Sequence, residues 1–403
     1  MLFKNIIGHA VIKDKISALI GEEKLPHAMM LLAPEGSGGL PMALAIAQSL
    51  VCETRNGIAP QQDGGLFGAP EPAPVVDLTA IKDACGTCPA CQKAAKLIHP
   101  DIHFTYPTIR LEKQKSPPIS ADFAKEWRTA VVENPYLTYQ DWLSAMDAEN
   151  KQGNITINEC HEIIKRMALK TFEANYKIQI IWLAEFLKEA GNTLLKIIEE
   201  PPADTVFILI VENIESVLNT IISRTQIFKL PPIDDHDLSN YLSEKFNTPP
   251  ALALQVARIA DGNLAVASHY IQGVEQPTDK FLQDWFAIAL RLKNPAYQKE
   301  GAERLFAFVD EIAKIGRENQ KVFLKYVLWY LREVHFLSLK LSSQKLSEDE
   351  LVFAAKLAPL LTTAAIAELQ TIIDNLYYHI ERNGNPKILF TANSFAIAKL
   401  FAN

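Results

Sequence analysis

No apolar run in these 403 residues approaches the roughly 20 that an α-helix needs to cross a bilayer. The opening stretch, "MLFKNIIGHAVIKDKI", is charged throughout and lacks the apolar centre of a secretory signal. A cytoplasmic protein without membrane contact is therefore expected. Basic charge is not in excess either: 40 Lys and Arg stand against 47 Asp and Glu, for a net charge of −7. The surface as a whole is not built to grip nucleic acid, so contact with DNA has to be local or shared with partners. Cysteine is scarce, with five in the chain. In a reducing compartment these stay thiols, and clustering among them points to a metal rather than to disulfides.

What is present is an ordinary globular mixture, 48% hydrophobic and 22% charged, long enough for two or three domains. Up to about residue 231, short apolar runs ("HAMMLL", "YKIQIIWLA", "TVFILIV", "TQIFKL") alternate with helical patterns. Among the latter are "MALAIAQSLVC", "NECHEIIKRMAL" and "EFLKEAGNTLLKIIEEPP", the last with apolar residues at Leu187, Ala190, Leu194 and Ile198. Such alternation predicts a parallel sheet covered by helices. Residues 236–275 predict three short helices. From 276 every apolar pattern is helical, as at Phe281, Trp285, Ala289 and Leu290. The expected plan is an α/β domain over 1–231, a small helical domain over 232–275 and an all-helical domain over 276–403.

Two segments interrupt the pattern. Residues 53–84 are rich in Gly, Pro and Ala and read as a flexible insertion. Residues 107–152 carry Trp127, Tyr136, Tyr139 and Trp142, with Phe123, Trp127 and Val131 on one helical face. Those aromatics either stack on bases or a partner or form a small local core; the local core is favoured.

Between a strand and a helix lies "APEGSGGLPMA", Ala33 to Ala43, in the context of a phosphate-binding loop. A working loop, G-x-x-x-x-G-K-[ST], cradles phosphate with backbone N–H groups, neutralises it with lysine and holds Mg²⁺ through its hydroxyl. Aligned on Gly36 and Gly38, Gly39 stands in the lysine position and Leu40 in the hydroxyl position. Pro41 removes a further N–H from the helix end. A plain glycine turn unrelated to nucleotides fits this stretch taken alone. At the end of "KIQII", however, where such ATPases place acidic residues for Mg²⁺ and water, Trp182 and Leu183 stand instead. With the required groups missing at two separated places, no intrinsic ATP hydrolysis is expected and ATP is not expected to bind productively.

Cys85, Cys88 and Cys91 form C-x-x-C-x-x-C. Three thiolates at this spacing can converge on one tetrahedral Zn²⁺, and a fourth ligand must close a structural site. Cys52 is the best candidate, with Cys160 and His99 as alternatives; a redox role for one C-x-x-C pair is the weaker reading.

The stretches "IIGHAVIKDKI", "LPHAMMLLAPEGSGG", "CGTCPAC", "HPDIH", "GNTLLKIIEEPPADTVFILI", "IISRTQIFKL" and "NGNPKIL" together resemble the bacterial DNA polymerase III clamp-loader subunits of the AAA+ class. Within that family, loss of the loop lysine and the acidic pair resembles the non-catalytic delta-prime branch rather than the ATPase subunits. The resemblance implies an AAA+-like α/β domain, a helical lid and an all-α oligomerising collar. It implies structural zinc, again with Cys52 as fourth ligand. It also implies membership of a DNA-directed DNA polymerase holoenzyme. The implied partners are the gamma/tau ATPase and delta subunits, the sliding clamp and, through the assembly, primer-template DNA. "SRTQ" matches the family's Ser-Arg-Cys motif, with Thr225 in the cysteine position. This implies that Arg224, preceded by Ser223, reaches ATP on a neighbouring subunit; read without the family, Arg224 is a surface ion pair. In "GNLAVA" the family's phosphate-sensing arginine is replaced by Ala265. The readings left open are a gamma/tau-like ATPase with an unorthodox site, with Glu185 the one acid at hand, and an AAA+-like scaffold outside replication.

Overall fold

The computed structural model describes residues 1–57, 83–110, 117–148, 151–273, 278–341, 346 and 348–401. Most of the 53–84 insertion expected to be flexible lies outside the described residues. The chain forms two compact units, Met1–Tyr241 with Asp261–Ala265 and Leu242–Ala260 with Val266–Asn403.

The first unit is built on five strands: β1 (Ala28–Leu32), β2 (Ile102–Thr105), β3 (Lys177–Trp182), β4 (Thr205–Val211) and β5 (Gln226–Lys229). All pairings are parallel, in the order β2-β3-β4-β1-β5. The runs "KIQIIW" and "TVFILIV" are buried along their whole length, as strands covered on both faces require. Helices α1 (Ala10–Gly21), α2 (Gly39–Val51), α3 (Pro89–Ala95), α4 (Ala124–Glu133), α5 (Tyr139–Ala145), α6 (Ile157–Met167), α7 (Leu195–Glu199) and α8 (Asn219–Ile222) connect and cover the strands. The apolar residues divide into two cores. One holds α2 and the 107–152 insertion; the other holds Cys160, Ile163 and Met167 of α6 with Leu187, Leu194 and Ile198.

Two local features differ from expectation. β2 is an extra strand within a segment whose four-residue alternation is too short to stand out. The segment from Ala184 to Leu194 is not one regular helix but tight 3₁₀ turns broken at Lys188 (φ 44°, ψ −138°), and only α7 continues as α-helix. Leu187, Leu194 and Ile198 are nevertheless buried, so the apolar spacing located the buried face but not the backbone.

Helices α9 (Asp235–Phe246), α10 (Pro250–Ala260) and α11 (Leu264–Gly273) follow the sheet, as the three-helix expectation had it. Next come α12 (Thr278–Lys293), α13 (Gln298–Lys314), α14 (Arg317–Ser338), α15 (Glu348–Leu357), α16 (Thr363–Glu381) and α17 (Pro386–Leu400). Among the described residues, every element of the second unit is helical. Its core is centred on Trp285, fully buried, stacked on Phe308 at 6.0 Å and donating its indole N–H to Ser394 Oγ at 2.7 Å. In "NGNPKIL", the Asn385 side chain accepts from the Lys387 N–H (3.0 Å) and Pro386 opens α17, a start signal that leaves no helix donor wasted. Among the described residues, no single helix is long and apolar enough to cross a membrane.

Candidate nucleotide-handling and metal sites

The glycine loop follows β1, the strand between β4 and β5, and opens onto α2. Gly36 and Gly38 have φ of 70° and 102°, values in the left-handed region where a side chain strains the backbone. The loop is closed from within: the Ser37 hydroxyl donates to Pro34 O (2.6 Å), and His9 Nε2 meets Ser37 O at 2.7 Å. Across it lies the turn Gly262–Leu264, with the Leu264 N–H donating to Gly36 O (3.1 Å) and Asn263 Nδ2 to Glu35 Oε1 (3.3 Å). Leu40 is buried in the sheet-side core, and all thirteen residues of α2 are buried. Ala265 follows directly after this turn, on the first turn of α11.

Trp182 and Leu183 sit where β3 ends, both buried. Trp182 faces Trp127 at 5.2 Å between ring centroids, and Trp127 in turn stacks on Tyr106 at 4.1 Å. Leu183 adopts φ 55°, ψ 58°, a conformation costly for a bulky L-residue. Trp127, Trp142 and Tyr136 are 2%, 0% and 6% exposed, so the insertion's aromatics form a local core. Glu185, the acid left open for an unorthodox ATPase, is committed: its Oε1 accepts the Glu212 N–H at 3.1 Å. Burial holds the Glu185 carboxyl above the usual range against its backbone hydrogen bonds. Burial, followed by the nearby Glu35 and Glu185, pushes Glu212 up to about 8. At about 8, the Glu212 carboxyl is largely protonated at neutral pH and offers a cation no freely ionised carboxylate.

Arg224 and Ser223 lie just after α8 and before β5. Arg224 Nε donates to Glu199 Oε2 at 2.6 Å and Nη1 to Thr220 O at 3.1 Å, while the Ser223 hydroxyl donates to Thr220 O at 3.2 Å. The arginine side chain is about a third exposed and Glu199 more than half. An ion pair at such exposure is worth little and releases its arginine readily.

The four cysteines come together. Cys52 ends α2, Cys88 and Cys91 bracket the start of α3, and the sulfurs of Cys52, Cys85, Cys88 and Cys91 all lie within 4.8 Å of one another. Cys85 and Cys91 Sγ are 3.9 Å apart, far beyond a disulfide and close to the ~3.8 Å edge of a tetrahedron with 2.3 Å metal–sulfur bonds. Backbone N–H groups point at the sulfurs: Cys85 and Arg55 toward Cys52 (3.3 and 3.5 Å), Cys88 toward Cys85 (3.3 Å) and Cys91 toward Cys88 (3.4 Å). Such donors stabilise thiolates. The Cys52 thiol is pulled down to about 5, chiefly by a hydrogen bond from Cys91. This donor set fits a four-sulfur metal site, with Cys52 closing it. The alternative ligands lie elsewhere: Cys160 is in the core with α6, and His99 faces Glu173 at 3.2 Å.

Sequence reasoning missed two residues. From the sequence Tyr136 reads only as an insertion aromatic; no spacing pattern ties a residue 98 positions from Gly38 to the glycine loop. Asp101, 1% exposed, accepts three backbone N–H groups, from Phe172, Glu173 and Ala174, at 2.6–2.9 Å. It fixes the segment leading into β3, and an acid in a short "HPDIH" gives no periodic signal.

A five-stranded parallel sheet with a glycine loop after β1, followed by helical segments, is the architecture of an AAA+-type domain. The family described as "DNA polymerase III, delta subunit" matches residues 75–234. The DNA polymerase III subunit delta' of Bacillus subtilis is 25% identical over 337 residues, covering 83% of this chain and 77% of that protein. The delta' subunit of Escherichia coli is 22% identical over 250 residues, 61% of this chain and 55% of that protein. The gamma subunit of Buchnera aphidicola subsp. Schizaphis graminum is 22% identical over 365 residues, 85% and 79% of the two chains. Over these stretches the chain is similar to DNA polymerase III subunits of both the delta' and the gamma kinds.

Proposed function

We propose that this chain is a non-catalytic, delta-prime-like subunit of the clamp loader, which lends Arg224 to the ATP site of a neighbouring ATPase subunit. The supporting observation is an asymmetry. The lysine, hydroxyl and acidic pair that would serve the chain's own nucleotide are replaced by Gly39, Leu40, Trp182 and Leu183. Arg224 is retained, partly exposed, and held by a solvent-facing carboxylate and the Thr220 carbonyl. A planar, permanently charged guanidinium stabilises phosphate charge that develops during transfer. Ser223 positions the segment through its bond to Thr220.

In this reading the chain works in the cytoplasm beside gamma/tau and delta subunits, in an assembly that loads the sliding clamp onto primed DNA. Residues 1–231 are the AAA+-like domain, 232–275 the lid and 276–403 the oligomerising collar. The metal held by Cys52, Cys85, Cys88 and Cys91 is zinc, with a purely structural role: it ties the end of α2 to the start of α3 across the 53–84 insertion.

The test is a reconstituted assembly carrying Arg224→Ala. The clamp- and DNA-stimulated ATPase should fall by about 10³-fold or more, the usual range for such a residue, with the subunits still co-eluting. Unchanged ATPase would refute the role of Arg224. Similarity to gamma subunits keeps an ATPase reading in view, and turnover of ATP by the isolated chain would favour it.

A further inference from the structure

The turn between α4 and α5 lies over the glycine loop. A Cβ placed on Gly38 would come within 3.2 Å of the Tyr136 ring, and the Tyr136 hydroxyl accepts the Ile7 N–H at 2.9 Å. Tyr136 and Leu137 are 6% and 7% exposed. The cavity left among Pro34, Gly36, Gly38, Tyr136, Trp182 and Glu212 is about 20 Å³. That is room for one water, not for a chain of phosphates.

The turn is held in place from several directions. Tyr136 N–H bonds to Asn134 Oδ1 (3.1 Å), and Leu137 N–H to Asn134 O (3.1 Å). Thr138 and Asp141 cap α5 reciprocally, at 3.0 and 3.1 Å. Trp142 donates its indole N–H to Pro107 O at 2.7 Å, and Trp127 packs on Trp182. Lifting Tyr136 away therefore disrupts a capped, buried turn rather than rotating one free side chain.

We infer that the segment Asn134–Thr138 is a built-in plug, whose Tyr136 ring and Leu137 occupy the space phosphates need, so that nucleotide is kept out by shape as well as by missing charge. The Tyr136 hydroxyl also ties the plug to the N-terminal segment through Ile7. This rests on reading residues 33–39 as a former phosphate loop. It does not depend on Arg224, whose assay is read on another subunit's ATP, so either idea can fail alone.

Amide hydrogen exchange on the full chain tests it. In the unaltered protein, the amides of residues 36–42, Pro41 aside, should exchange at the same rate with and without millimolar Mg·ATP. Tyr136→Gly should speed their exchange by about tenfold or more, and Tyr136→Phe, which keeps the ring and loses only the hydroxyl, should leave them protected. If the glycine variant does not fold, Tyr136→Leu makes the same comparison, with an acceleration of about threefold. Protection of the loop by Mg·ATP in the unaltered protein overturns the proposal, as does unaltered exchange in both the glycine and leucine variants.

Discussion

Trp127, on the insertion helix α4, lies 5.2 Å from Trp182, the last residue of β3. Through this contact the insertion becomes part of the sheet-side core of the first unit, and the end of the strand is sealed by indole against indole. The same contact makes the insertion a source of stability as well as a cover.

Trp127→Ala should therefore cost about 3–5 kcal/mol, the range for emptying a large aromatic site, read as a lower urea midpoint with an unchanged slope. Trp127→Phe should cost much less. Among the described residues the buried Nε1 of Trp127 has no hydrogen-bond partner, so phenylalanine removes an unsatisfied donor along with some packing. Equal losses in the two variants would contradict this account.

Purified protein should carry about one zinc per chain by elemental analysis. Cys52→Ser should lower this as far as Cys91→Ser does, because both sulfurs belong to one four-member set. Full metal content in the Cys52 variant would move the fourth ligand elsewhere. Stripping the metal should speed proteolysis between residues 52 and 91 while the second unit stays folded.

Glu212 sets a pH dependence. Its carboxyl, raised to about 8 in the folded chain by burial and then by Glu35 and Glu185, returns to an ordinary value near 4.3 on unfolding. The folded state binds the proton more tightly, so this contribution is full below about pH 4 and is lost as pH climbs to about 8. Glu212→Gln, which mimics the protonated form, should be near neutral below about pH 4 and stabilising by on the order of 5 kcal/mol near pH 9. Urea midpoints at the two pH values check it; no difference between them would place the carboxyl in a more solvated setting.

Arg224→Lys keeps the charge and loses the planar fork. If Arg224 meets phosphate through two donors, lysine should restore less than about a tenth of the activity lost in the alanine variant. Full rescue would reduce its role to bulk charge, measured in the same reconstituted ATPase assay.

Local chemistry made much of this protein legible without a structure. Apolar runs marked β1, β3 and β4, because strands buried on both faces must be apolar along their length, while the edge strand β5 showed only as the run "TQIFKL". Gly39, Leu40, Trp182 and Leu183 could be compared residue by residue with the positions of a phosphate-binding ATPase, since those positions have assigned chemistry. The spacing of Cys85, Cys88 and Cys91 marked three candidate ligands for the same reason.

Only the tertiary structure decided the rest. It brought Cys52 to the other three sulfurs from the end of α2, broke the expected helix at Lys188, and added β2 to the sheet edge. It also laid Tyr136 across Gly38 from far along the chain. Each of these depends on contacts between segments distant in sequence, where burial and packing override local preference. No periodicity within a single segment encodes which distant segment it will meet.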